Sequence, residues 1–332
     1  MRTLQTAQLA VSLLVSTAVF SSYILIKLNA PLGVDISVYK EAIDNGISEW
    51  SIYYLRESLS WRIIETLGIL PFSNLNIRLI VLDFSVILLI AFILRRFKLS
   101  IAFLPLIIFT PTFVLLSNNV LRQYIALPFL LAFILSLSRG KITLSTLSGA
   151  LAILAHNSSI FLIVIAVFSS KKYKANKNTA LLLIATLIAL IAISNQWPLI
   201  SRYIERSAEA VDDSIAKNIG YILYYFTALA GIAFAFQRQK QSRHEDLFGM
   251  HFRHALGLLA TSGLMAELLL LFLPVFMINR ILISLTCILL ILWTAHLRLL
   301  KLRTQAGSVV FIATFSAGAL LLHDGAKSML FP

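Results

Sequence analysis

Four short stretches carry side chains able to act on a charged or hydroxylated partner. Arg122 and Gln123 open the run 124–137, which is otherwise apolar, and His156, Asn157 and Ser158 interrupt a second apolar run. Asp35 and Tyr39 sit in DISVY at 35–39, and Glu57 and Trp61 in ESLSW at 57–61. Arg280 heads a late apolar run, Asp83 and Glu267 lie inside apolar runs, and Arg78 borders one. A guanidinium offers an anion fixed, multidentate donors. Asp35, Glu57 and His156 are of the types that accept or hold a proton. Tyr39, Trp61, Gln123, Asn157 and Ser158 can stack on or hydrogen-bond to a neutral polar ligand. Ionisable groups amid such apolar sequence are costly, which makes them functional candidates.

Each has a plainer reading. Arg122 can snorkel to lipid headgroups as an anchor, Gln123 can bond at a helix start, and His156 can satisfy the backbone of a chain reversal. Asp83 and Glu267 read as structural partners of arginines, with Arg78 in the same ion-pairing set. Tyr39 and Trp61 also suit an interfacial belt. There is no HExxH, and Cys287 is the only cysteine, so neither a metal site nor a disulfide framework is expected. No Walker loop or GxGxxG occurs, and no cofactor is expected.

The elements that position these residues are membrane helices. Of 332 residues, 59% are hydrophobic and 13% charged, against about 25% charged in an ordinary soluble domain. We expect an all-α, polytopic integral membrane protein forming a single membrane-embedded domain over 1–332, with about 10–11 transmembrane or half-membrane helices. The apolar pattern places them near 7–28, 77–95, 99–117, 120–138, 142–155, 158–170, 179–196, 219–237, 250–273, 281–297 and 306–322. The first is too long for a signal h-region and no small-residue cleavage site follows it, so it reads as a retained anchor. With the N-terminus in the cytoplasm, Arg95, Arg96, Lys98, Arg139, Lys141, Lys171, Lys172, Lys174 and Lys177 all fall on the inner side. Of the 15 acidic residues only Glu245 and Asp246 join them. The net charge of +13 is therefore a topology signal, and a nucleic-acid partner is not expected.

Between Lys141 and Lys171 an unbroken helix would be about 45 Å long and would carry the lysines to the outer side. A break at 156–158 gives a hairpin over 142–170 instead, with arms of about 21 Å or less and His156 at its apex. Such a dip requires burial in protein or a water-filled cavity. Two hydrophilic segments, 29–76 and 195–218, then face outward, and Arg122, His156, Arg280, Asp35 and Glu57 gather in or above the outer leaflet.

The ordered set DISVY, ESLSW, RQYIA at 122–126, AHNSS at 155–159 and the late Arg280 resembles the EpsG-like branch of the Wzy class, bacterial polymerases of O-antigen, capsule and exopolysaccharide. The likeness spans most of the chain, and RQxxA followed by HxS is its most specific part. It implies a GT-C-like glycosyltransferase that polymerises undecaprenyl-pyrophosphate-linked oligosaccharide repeat units on the outer, periplasmic face of the cytoplasmic membrane. Arg122 and Arg280 would then hold the pyrophosphate, and Asp35, Glu57 or His156 the attacking hydroxyl. The implied partners are the lipid-linked oligosaccharides, the bilayer and a chain-length regulator. Rival readings are an O-antigen ligase or another polyprenyl-linked glycosyltransferase, and, outside the enzymes, a lipid-linked oligosaccharide flippase or transporter. Ligases usually carry a longer outer loop than 195–218. A transporter needs polar residues through both leaflets, whereas here the inner half is nearly bare of carboxylates.

Overall fold

The computed structural model describes residues 17–18, 20–28, 36–47, 52–108, 110–169, 223–232, 260, 275–297 and 306–312. Every regular element among them is helical. They are α1 (residues 20–28), α2 (Ile36–Asn45), α3 (Ile52–Arg56), α4 (Ser58–Thr66), α5 (Leu75–Arg96), α6 (Pro111–Asn118), α7 (Leu121–Ser138), α8 (Ile142–Ala155), α9 (Ser159–Ser169), α10 (Leu223–Ile232), α11 (Val275–Leu297) and α12 (residues 306–312). The expected segments near 179–196 and 250–273, the outward loop 195–218, and Asp35 and Glu267 lie outside the described residues.

Local chemistry sets the ends of the long helices. Asn74 caps α5, its side chain accepting from the Asn76 N–H at 2.8 Å, which satisfies one of the first-turn donors. The helix closes on Arg95 and Arg96, cations at the negative end of its dipole. Lys98 then turns left-handed (φ 57°). Its N–H bonds to the Arg95 carbonyl and that of Leu99 to the Leu94 carbonyl, the pattern of a Schellman cap. The same pattern ends α7, with Gly140 (φ 67°), Gly140 N–H on Leu137 and Lys141 N–H on Ser136. Here glycine removes the Cβ penalty of the left-handed turn.

α5 and α7 are each long and apolar enough to cross a membrane. Apolar side chains stand exposed on one side of α5, Leu88 at 66% and Phe92 at 65%, four residues apart and so on one face. That suits lipid rather than water.

The stretch 99–117 does not form one helix. A 3-10 turn, Leu104–Ile107, is followed by α6, which begins at Pro111 after its cap Thr110. Pro105 and Pro111 explain the difference: proline lacks the N–H an inner turn requires, and it suits a first helical turn. Hydropathy alone fused the two pieces.

The chain divides into two compact units. The first comprises Met1–Ile47, Ile63–Leu121 and Ile291–Pro332; the second comprises Ser48–Arg62 and Arg122–Leu290. In the first, Lys27 of α1 lies 2.7 Å from Asp83 of α5, both buried, and the Tyr23 hydroxyl donates to Asp83 at 2.6 Å. Lys27 also donates to the Ser117 carbonyl at 3.1 Å. Asp83 thus has a lysine as an ion-pair partner. Arg78 pairs with Asp44 at 3.2 Å in a more exposed setting. In the second unit, α8 buries a strip of small residues, Ser145, Ser148, Gly149, Ala152 and Ala155. A Cβ on Gly149 would stand 3.2 Å from the Phe133 ring of α7 and 3.6 Å from Ile163 of α9. Small residues let these helices approach closely.

Candidate functional site

The second unit brings together six of the residues singled out above: Glu57, Trp61, Arg122, Gln123, His156 and Ser158, with the backbone of Asn157 as a seventh contributor. Three chain breaks supply them. Glu57 sits between α3 and α4 and its carbonyl accepts the Trp61 N–H at 3.1 Å, so it starts α4. Arg122 and Gln123 occupy the first turn of α7. His156 is the residue at which α8 ends, its backbone extended and its N–H bonded to the Ala152 carbonyl at 2.8 Å. Asn157 and Ser158 lead into α9, whose first N–H groups, those of Ser159, Ile160 and Phe161, donate to the His156, Asn157 and Ser158 carbonyls.

Ser60 ties these breaks together. One turn beyond Glu57 and fully buried, its hydroxyl donates to the Ala155 carbonyl at 2.6 Å and lies 3.5 Å from that of Arg122. The last carbonyl of α8 and the start of α7 are thereby fixed to the first turn of α4. Ser60 was not singled out from the sequence, although it stands three residues after Glu57, on the same helical face.

Glu57 is the hub. Its Oε2 accepts from the Arg122 guanidinium in a part-buried ion pair. Its Oε1 accepts the Asn157 backbone N–H at 2.9 Å and lies 2.6 Å from His156 Nδ1, the separation of an ion pair rather than of a well-aligned hydrogen bond. Burial alone would raise the Glu57 pKa. The opposing charge of His156 and its contact, the Arg122 charge, and the Asn157 N–H together outweigh burial and hold it at about 2. Glu57 is therefore an anion whose two oxygens are both committed. Arg122 lies over the Trp61 ring, 5.2 Å from its centre, a cation–π contact, and Trp61 meets Tyr54 edge-on at 4.9 Å. The Arg122 side chain keeps 16% of its surface exposed.

On the far side of the imidazole, His156 Nε2 lies 3.0 Å from the Gln123 amide nitrogen, which also donates to Ser158 Oγ at 3.3 Å. The Gln123 carbonyl oxygen, fully buried, has no hydrogen-bond partner among the described residues. Gln123 is also one of the residues around a narrow crevice, with Ala126, His156, Ser159, Leu162 and Ser284 among the others.

The other sequence candidates lie elsewhere or are described only in part. Arg280 belongs to α11 by its backbone. Tyr39 is buried within α2 in the first unit, as is Asp83 within α5. The sequence reading missed Lys27 and Tyr23. Their i, i+4 spacing in the first apolar run is the signal that marks them as one helical face.

This anionic hub, with a cation on one side and an imidazole on the other, can present a guanidinium to an anion while holding an imidazole beside it. The EpsG family profile matches residues 12–326, nearly the full length, and the chain belongs to the EpsG family. No curated protein matches the chain and no solved structure does.

Proposed function

We propose that this EpsG-family chain is a polytopic membrane glycosyltransferase of GT-C-like build. In this reading it polymerises undecaprenyl-pyrophosphate-linked oligosaccharide repeat units on the outer face of the cytoplasmic membrane. Family membership supports a polysaccharide polymerase, and the apolar helices α5 and α7 support a membrane setting. The observation that carries the reading is the Glu57 hub, which fixes Arg122 and His156 side by side at the start of α7 and the α8–α9 break.

The chemistry follows from charge. The bond between the anomeric carbon of the growing glycan and its pyrophosphate oxygen breaks, and negative charge develops on that oxygen. A hydroxyl of the incoming repeat attacks the carbon and gives up its proton. Arg122 meets the developing charge with preorganised donors, strongest where water is excluded. Arg280 is the proposed second cation on the pyrophosphate. His156 holds or takes the hydroxyl proton, with Asp35 as the other proposed acceptor. Glu57, ionised and fully engaged, is a positioning residue for Arg122 and His156. The glycosyl pyrophosphate supplies the driving force, in keeping with a sequence that lacks nucleotide motifs.

The test is chain growth by purified protein in nanodiscs supplied with its lipid-linked repeat. We expect polymer without added nucleotide, lost in Arg122→Ala and in His156→Ala at unchanged folding. Normal chain growth in both variants overturns the site. Movement of the lipid-linked sugar between leaflets without new glycosidic bonds overturns the enzyme reading in favour of a flippase.

A further inference from the structure

We infer that the first turn of α4 holds the two reactive side chains through two separate handles, Ser60 for His156 and Trp61 for Arg122, each a positioning residue. This rests on the glycosyltransferase reading above for what those side chains do, and on the geometry of the second unit for how they are held.

Glu57, Ser60 and Trp61 stand at i, i+3 and i+4, which places them on one face of a helical turn. All three are buried, whereas Ser58 and Leu59 are half-buried and Arg62 is exposed. Glu57 serves Arg122 and His156 together, so its loss disturbs both at once. The other two residues of the face divide the work.

Ser60 acts on the α8–α9 break. Its hydroxyl donates to the Ala155 carbonyl at 2.6 Å, and the Arg122 carbonyl lies 3.5 Å away. A hydroxyl has one proton to give, and only the shorter separation falls in the ordinary range of an O–H···O bond. The Ala155 carbonyl belongs to the peptide unit that joins α8 to His156. That unit is planar, so fixing its oxygen fixes the plane from which the His156 residue departs. His156 has already left the helical path, with φ −157° and ψ 123°. Ala155 is fully buried, and a buried carbonyl deprived of its donor is costly.

Trp61 acts on Arg122. The guanidinium carbon lies over the indole, 5.2 Å from the ring centre, and Tyr54 meets that ring edge-on at 4.9 Å. Trp61 is fully buried, so it has no surface on which to stack a sugar. Its aromatic face is committed to the protein's own cation instead. Glu57 holds the guanidinium through one terminal nitrogen, and the indole backs it. A planar guanidinium gripped in two ways presents its donors in a fixed direction, as preorganised charge stabilisation requires.

Chemical labelling in nanodiscs reads each side chain without turnover. Diethylpyrocarbonate marks the His156 imidazole and phenylglyoxal the Arg122 guanidinium, each assigned by peptide mass spectrometry. We expect Ser60→Ala to raise the His156 labelling rate about tenfold and leave that of Arg122 unchanged, with Ser60→Thr close to wild type. Trp61→Leu raises the Arg122 rate about tenfold and leaves that of His156 unchanged, with Trp61→Phe in between. Should Trp61→Leu fail to fold, Trp61→Phe carries the same comparison. In chain growth, Ser60→Ala lowers the rate about 100-fold and displaces its pH profile. Trp61→Phe lowers the rate without moving that profile, and weakens binding of bare polyprenyl pyrophosphate, which Ser60→Ala does not. The inference is overturned if either substitution raises both labelling rates together, as general loosening would, or if neither raises its own. A wild type that builds no chain while the two labelling patterns stay separate would instead remove the polymerase reading and leave the two handles standing.

Discussion

Glu57→Gln is the sharpest perturbation of the site, because it preserves shape while removing the charge on which the hub depends. In the folded protein the Glu57 carboxyl is held at about 2, against an ordinary 4.5. At roughly 1.4 kcal/mol per pH unit, that gap corresponds to about 3 kcal/mol of stabilisation of the ionised form. The loss expected on breaking one partner of a buried ion pair is of similar size, about 3–5 kcal/mol. A glutamine also has the wrong hydrogen-bonding pattern. Whichever way its amide faces, its NH₂ meets either the Arg122 guanidinium or the Asn157 N–H, donor against donor. We expect a melting temperature lower by several degrees at pH 7 and chain growth reduced about 100-fold, as for a misplaced catalytic constellation. The pH dependence supplies the stricter check. Because the folded pKa is depressed, the Glu57 contribution is complete above about pH 4.5 and disappears as pH falls toward 2. The stability gap between parent and variant must therefore be largest near neutrality and close on acidification. Denaturation followed by tryptophan fluorescence at pH 7, 5, 4 and 3 reads it. A gap independent of pH, or a Glu57→Gln protein as stable and active as the parent, would refute the argument.

Arg122→Lys should fail to restore chain growth, falling at least 100-fold as when one preorganised oxyanion donor is removed, since an ammonium lacks the planar fork that engages carboxylate and phosphate together. In the first unit, Lys27→Met and Asp83→Asn should each lower stability by about 3–5 kcal/mol, while Lys27→Met combined with Asp83→Leu recovers most of the loss; thermal denaturation of all three variants decides it. Gly149→Leu should destabilise the α7–α8 contact by about 1–3 kcal/mol through overpacking, with Gly149→Ala much milder. The ranking is read from melting temperatures, and equal values for alanine and leucine would show that Phe133 does not pack there.

Some of this organisation was legible in the sequence, and the reasons differ by feature. The helical character followed from composition because apolar runs of that length leave the backbone little choice. Arg122, Gln123 and His156 were visible because polar residues at the edges of apolar runs are conspicuous. That Glu57, itself at one break, contacts the other two was not visible. It lies 65 residues from Arg122 and 100 from Asn157, and nothing local to ESLSW distinguishes a hub from an exposed acid. Lys27 was passed over because a lysine near the end of an apolar run looks like a headgroup anchor, and its burial depends on a partner 56 residues away. The two prolines that divide 99–117 were in plain sight, but hydropathy averaging ignores the backbone hydrogen bonds they remove.

The hub also constrains where a proton can go. Glu57 faces the Nδ1 side of the imidazole and has both oxygens committed, so in the proposed reaction proton exchange with a substrate would use Nε2. That nitrogen is in contact with the Gln123 amide. When the ring is neutral with its proton on Nδ1, Nε2 accepts from the amide NH₂ and the Gln123 carbonyl is left without a partner among the described residues. When the ring gains a proton at Nε2, the amide must turn over to accept from it. In the proposed reaction Gln123 would thus answer a change in the charge state of His156 by changing from donor to acceptor at the imidazole. Replacing Gln123 by glutamate fixes that position as an acceptor, and replacing it by leucine removes both roles. Both substitutions should impair chain growth, and only the glutamate should alter its pH profile as well as its rate.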